Sequence, residues 1–124
     1  MIITNNPLVR STYENAHGVL FVEGNYRDVL VQVRDLVHRR HHLITHPMMG
    51  SLKPNETPYR SVIVSDEPQK NVDVDSVLII EEAILVFDRF TKTARSDRGT
   101  GSTEKMKEDF REIDLSLLGS ALNK

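Results

Sequence analysis

The sequence contains no cysteine and no tryptophan, and aromatic residues make up only 6% of its 124 positions. Without cysteine there can be no disulfide, no thiolate-bound metal and no cysteine nucleophile. The longest apolar runs, "SVLII" and "AILVF", fall far short of the ~20 residues a membrane helix needs. The first residues, "MIITNNPLV", have neither the basic start nor the apolar stretch of a signal peptide. A net charge of −2 gives no electrostatic reason for binding nucleic acid or an anionic membrane. These absences predict a soluble, cytoplasmic chain with neither nucleic acid nor membrane as partner.

Several chemical signatures are missing too. No serine sits in a G-x-S-x-G elbow, which removes the usual basis for a Ser-His-Asp triad. "RGTGSTEK" lacks the spacing of a phosphate loop and follows a helix rather than a strand. The lone glycine of "VEGN" is too little for a dinucleotide fingerprint. No cofactor is implied by any of these segments.

What is present describes an ordinary globular chain, with 39% hydrophobic and 27% charged residues. That is enough apolar material for one core. Residues 1–95 read as an α/β core domain. The stretch "SDRGTGST" makes 96–103 a flexible linker, and 104–124 a C-terminal amphipathic helix that packs on the core or on a partner chain. In that last segment Met106, Phe110, Ile113, Leu117 and Ala121 form one stripe, which suits either closure of the core or a homodimer contact.

Within the core, "MII" and "VLFVE" read as strands, the second as one buried on both faces. "TNNP" between them is a helix start, with Pro7 in the first turn. "GNYRDVLVQVRDLVHRR" reads as a helix: Tyr26, Val29, Leu30, Val33, Leu36 and Val37 recur at helical spacing, and Asn25 with Asp28 forms a capping-box pair. "HLIT" and "RSVIVS" are two further short strands. "DSVLIIEEAILVFDRFTKTAR" is a second long helix, started by Asp73 or Asp75. It carries Val77, Ile80, Ala83, Ile84, Phe87 and Phe90 inward, with Leu78, Ile79, Leu85 and Val86 widening that face, so burial on more than one side is expected. The order of elements predicts an α/β single layered domain with a mostly parallel four-stranded sheet flanked by helices. In such a sheet "TNNP" and "THPMMGS" leave strand carboxyl ends on one edge, where ligands bind.

The most loaded segment is "THPMMGSLKPNETPYRS", from Thr45 to Ser61. Structureless connections this long are usually functional or disordered, and its three prolines favour a defined conformation. His46 can act as a general acid or base, with Glu56 as a second proton carrier. Gly50, Ser51, Lys53, Asn55, Thr57, Tyr59 and Arg60 supply donors and cations for an anionic ligand, joined by Asn5 and Asn6 from "TNNP". The bland readings are a turn histidine held by Pro47 and a Glu56 paired with Lys53 or Arg60. "HRRHHLITH" places His38, His42 and His46 four residues apart, but Arg39 and Arg40 oppose a bound cation, so the stretch reads as a basic helix end and no metal site is assigned.

"ITNNPLV", "DVLVQVRDLVH" and the string HP-x-x-GS-x-KPNETPY-x-S together resemble the GrdX family, over Ile2 to about Glu82. These small proteins are associated with the glycine, sarcosine and betaine reductase systems of amino-acid fermentation. The resemblance implies a cytoplasmic accessory role with reductase-complex proteins as partners, and brings no reaction, cofactor or catalytic residue. Beside it stands the reading taken from the residues alone. That reading is a small enzyme or binding protein holding an anionic metabolite between the Asn5–Asn6 loop and the His46–Tyr59 loop.

Overall fold

Three short, mostly apolar strands build the sheet. In the structure, a computed structural model that describes residues 1–48, 57–93 and 104–122, β1 (Ile2–Thr4) lies between β2 (Val19–Phe21) and β3 (Ser61–Ile63). β1 pairs parallel with β2 and antiparallel with β3, with Thr4 opposite Ser61 and Ile2 opposite Ile63. Because successive side chains point to opposite faces, Ile3, Val62 and Val64 enter one core while Ile2 and Ile63 enter another.

Helices cover both faces. α2 (Tyr26–His38) and α3 (Val74–Thr93) bury Val29, Leu30, Val33, Val37, Ile80, Ala83 and Ile84 against Ile3 and Val62. α1 (Pro7–Tyr13) and α4 (Glu104–Leu122) close the other face, where Val9 and Leu118 meet Ile2 and Ile63. Local chemistry sets the helix starts. Asn6 caps α1 by accepting from Leu8 N, with Pro7 in its first turn. Asn25 and Asp28 form a reciprocal capping box on α2. Asp73 accepts from Ser76 Oγ and from Ser76 N ahead of α3, and the hydroxyl's hydrogen bond is the chief cause that holds its carboxyl below the usual range. A Cβ at Gly24 would collide with the Asp28 side chain, so glycine there leaves room for the capping box.

The four-stranded, mostly parallel sheet is therefore corrected to a three-stranded mixed one with four helices among the described residues. "HLIT" does not become a strand: Leu43 makes only an isolated bridge to Val64. Its ladder donors are diverted, since Leu43 N donates to Ser76 Oγ while Ile44 N and Thr45 N both go to Ile63 O. Parallel pairing requires a crossover connection, which α1 supplies between β1 and β2. No helix lies between α2 and β3 among the described residues, and the chain comes back along β1 in the opposite sense. β2 is only half buried, as the edge strand rather than a central one.

Two helix faces also differ from expectation. Leu78 and Leu85 on α3 are 63% and 59% exposed, so among the described residues this face of the helix is uncovered. In α4 the buried positions are Asp114 and Leu118, with Met106 and Ile113 exposed. The core-facing row is rotated off the apolar stripe because a buried carboxylate stands in the middle of it. The 96–103 linker lies outside the described residues.

Candidate functional site

The carboxyl end of β1 and the start of β3 meet at one edge, where Thr4, Asn5 and Asn6 adjoin Thr57, Tyr59, Arg60 and Ser61. Every one of these residues is at most 9% exposed. Asn5 is the first tie. Its Nδ2 donates to Gly24 O at 3.1 Å and to Pro58 O at 2.8 Å, and its Oδ1 accepts from Arg60 N at 3.0 Å. One amide thus joins the β1 end, the approach to α2 and the approach to β3.

Asn6 is the second. Besides capping α1, its Nδ2 donates to Arg111 O at 2.9 Å and to Asp114 Oδ2 at 3.0 Å. Its backbone N–H donates to Thr4 Oγ1 at 2.9 Å. Ser61 Oγ donates to Asp114 Oδ2 at 2.7 Å. With the single Ser61 hydroxyl proton committed there, Thr4 is the donor in its 2.7 Å contact with Ser61 Oγ. Donors therefore run in one direction, from Asn6 N through Thr4 and Ser61, onto the Asp114 carboxylate. Aligned bonds ending on a charge reinforce one another where water is excluded.

Arg60 lies against the same carboxylate. Its side chain is 3% exposed, with Nη2 4.0 Å from Asp114 Oδ1, and its Nη1 donates to Pro47 O at 3.3 Å. Its guanidinium carbon sits 5.4 Å from the Tyr26 ring centroid. Burial pushes the Tyr26 phenol above its ordinary value; the Arg60 charge pulls against that and Asp114 adds to it. Across the cluster, Arg111 Nε donates to Tyr59 Oη at 2.9 Å, its guanidinium carbon lies 5.4 Å from the Tyr59 ring centroid, and its Nη2 is 3.8 Å from Glu104. Asp114 Oδ1 has no hydrogen-bond donor among the described residues.

Of the residues nominated from sequence, Asn5, Asn6, Thr57, Tyr59 and Arg60 converge here. Gly50, Ser51, Lys53, Asn55 and Glu56 lie outside the described residues. His46 is exposed; its Nδ1 accepts from Met48 N at 3.0 Å, and its ring lines a groove against α3 rather than the buried cluster. The part of the long segment that adjoins "TNNP" is its last residues, Thr57 to Arg60, not its first. Pro47 is drawn in through the Arg60 side chain. His38 and His42 are engaged separately, near Glu81 and Asn71 O. Sequence reasoning missed Thr4, Ser61, Tyr26, Arg111 and Asp114. The one available signal was Asp114 itself, an acid four residues before Leu118 on the inward row of a helix.

A family model described as GrdX-like protein matches residues 1–123 of the chain. The chain belongs to the GrdX-like family. The match takes in α4, so the helix that supplies Asp114 and Arg111 to the cluster is part of the GrdX-like unit and not an appendage to it. No curated protein and no solved structure matches the chain. Among the described residues no helix is long and apolar enough to cross a membrane.

Proposed function

We propose that this GrdX-like chain is a cytoplasmic accessory protein of a glycine, sarcosine or betaine reductase system, and that it contacts reductase-complex proteins through the segment from Thr45 to Ser61. The observation that carries the choice of region is the way both ends of that segment are fixed. Asn5 holds Pro58 and Arg60 at one end, and Arg60 reaches back to Pro47 at the other. Thr45 Oγ1 also accepts from Ile63 N at 2.9 Å. Burying this much polar chemistry is costly unless each group finds a partner. A chain that makes those partnerships around the base of one segment gains a fixed platform for it. His46, Gly50, Ser51, Lys53, Asn55 and Glu56 are the residues assigned to the contact.

The second reading, an anionic metabolite held by Asn5, Asn6 and the same segment, draws its support from the two guanidinium groups of Arg60 and Arg111 in one cluster. Their charges already have acidic neighbours in Asp114 and Glu104, which weakens it. The two readings separate cleanly. In the accessory reading, His46→Ala and Lys53→Ala abolish co-purification of reductase subunits, while amino acids, acyl phosphates and nucleotides leave the melting temperature unchanged. A metabolite that stabilises the wild type by about 2.7 kcal/mol at a hundred times its Kd, with the effect lost in Lys53→Ala and co-purification intact, overturns it.

A further inference from the structure

Among the described residues the sheet has one open edge. The outer side of β3 is covered, since Ile44 N and Thr45 N donate to Ile63 O and Ser65 N donates to His42 O. β2 has β1 as its sole strand neighbour among those residues. Ile2 N donates to Gly18 O at 2.8 Å, and Val22 N donates to Thr4 O at 2.7 Å. Backbone groups alternate sides along a strand paired in this way. Gly18, Leu20 and Val22 therefore turn theirs toward β1, and the N–H and C=O groups of Val19 and Phe21 point outward. Such a row is a template for one more strand.

We propose that β2 pairs antiparallel with β2 of a second copy about a two-fold axis at Leu20, joining the two sheets into one. Residue order along β2 selects a second copy as the occupant. In a two-fold contact each residue meets its counterpart from the reversed strand. An axis at Leu20 sets Val19 of each copy against Phe21 of the other, and the residues of such a pair exchange both N–H···O bonds. Every outward group of the strand is then satisfied. A β-branched residue opposite an aromatic one is a favourable cross-strand match, and Val22 falls opposite Gly18, which leaves it room. One step further out, His17 of each copy meets Glu23 of the other. Both are exposed, and the Glu23 carboxylate has no ion pair among the described residues. His17 also lies near Tyr13 and the Asp66 carboxylate of its own chain, so Glu23 brings it a second acid. Against this stands the length of the edge. A strand of three residues is a blunted edge, and the dimer it supports is correspondingly weak.

Amide hydrogen exchange and sedimentation equilibrium on the full chain test this, compared at about 0.05 mM and about 1 mM. The mass should rise with concentration from 14.1 kDa toward twice that value. Exchange at the Val19 and Phe21 amides should slow roughly tenfold over the same range, while that of Leu20, already turned to β1, moves little. Glu23→Lys puts a cation opposite His17 and should weaken the dimer roughly tenfold with an unchanged melting temperature in dilute solution. Adding His17→Glu to that variant should restore association, because the exchanged charges again face each other across the axis. A strand from an unrelated protein would gain nothing from the paired exchange. A single-chain mass at the higher concentration overturns the proposal, as does a dimer whose Val19 and Phe21 amides exchange as in dilute solution. So does a dimer that the second charge change fails to restore.

Discussion

Ser61 donates its hydroxyl to Asp114 Oδ2 at 2.7 Å, tying the start of β3 to the middle of α4 across 53 residues of chain. The same carboxylate lies 4.0 Å from the Arg60 guanidinium, and both side chains are 3% exposed. Removing the two members of this pair should have unequal effects. Ser61→Ala deletes one donor and should cost about 1–3 kcal/mol. Asp114→Ala takes the carboxylate away from a buried cation and strands the Asn6 and Ser61 donors, so about 3–5 kcal/mol is expected. Urea unfolding of both single variants and the double variant checks this. The double should cost less than the two singles together, because both remove the same bond.

Tyr26 gives a signature at high pH. Its phenol is pushed above the ordinary 10.0, chiefly by burial. Below pH 10 both folded and unfolded states keep the proton. Above it the unfolded state releases its proton first, so the stabilising contribution declines as pH rises through the folded pKa. Tyr26→Phe should flatten the alkaline side of the stability profile relative to wild type. Urea midpoints taken across the alkaline range, with the neutral value as reference, would show it.

At the acid end the Arg27–Asp88 pair behaves in the opposite sense. The hydrogen bond from Arg27 holds the Asp88 carboxyl below its ordinary 3.8. The folded pKa is the lower one, so the contribution is present above the unfolded value and disappears as pH falls through the folded one. Both side chains are nearly half exposed, and solvent screening limits the pair to about 0.2–1 kcal/mol. Asp88→Asn should therefore lower stability slightly at neutral pH and leave it unchanged at the foot of the acid transition, as read by thermal melts in buffers of constant ionic strength.

Arg40 closes α2 with φ 77°, the left-handed conformation that a glycine adopts without a Cβ penalty. Its backbone carbonyl accepts from Gln69 N at 2.8 Å, and its side chain is exposed. Arg40→Gly should stabilise the protein by about 1 kcal/mol, less whatever the charge contributes at the helix end. Arg40→Val should destabilise it, since a branched side chain fits that backbone worst. A melting-temperature comparison of the two variants decides the sign.

The parts of this fold that were legible are those written in neighbouring residues. Asn25 with Asp28, and Asn6 with Pro7, announce helix starts three residues wide, and the α2 stripe from Tyr26 to Val37 names its own buried face. What resisted reading depends on partners distant in sequence. "HLIT" has the composition of a strand, yet Ser76, 33 residues later, takes the Leu43 N–H. The direction of β3 turned on a connection whose length could be counted but whose course could not. In α4 the pattern pointed at Met106 and Ile113 because hydrophobic periodicity cannot register an inward aspartate. Asn5, Asn6, Tyr59 and Arg60 were nominated for a ligand edge, but with the start of the long segment rather than its end beside "TNNP"; Asp114, which binds Asn6 and Ser61, was not nominated, since it is one acid among many on a polar-looking helix.

Asp114 also imposes an order on events during synthesis. Domains assemble from the amino end as the chain is made, and β1, α1 and β3 are all complete before α4 exists. Until then the amide of Asn6 and the hydroxyl of Ser61 lack the Asp114 carboxylate. This face stays hydrated and open until α4 is made. That helix acts as a keystone, closing a seam that β1 began.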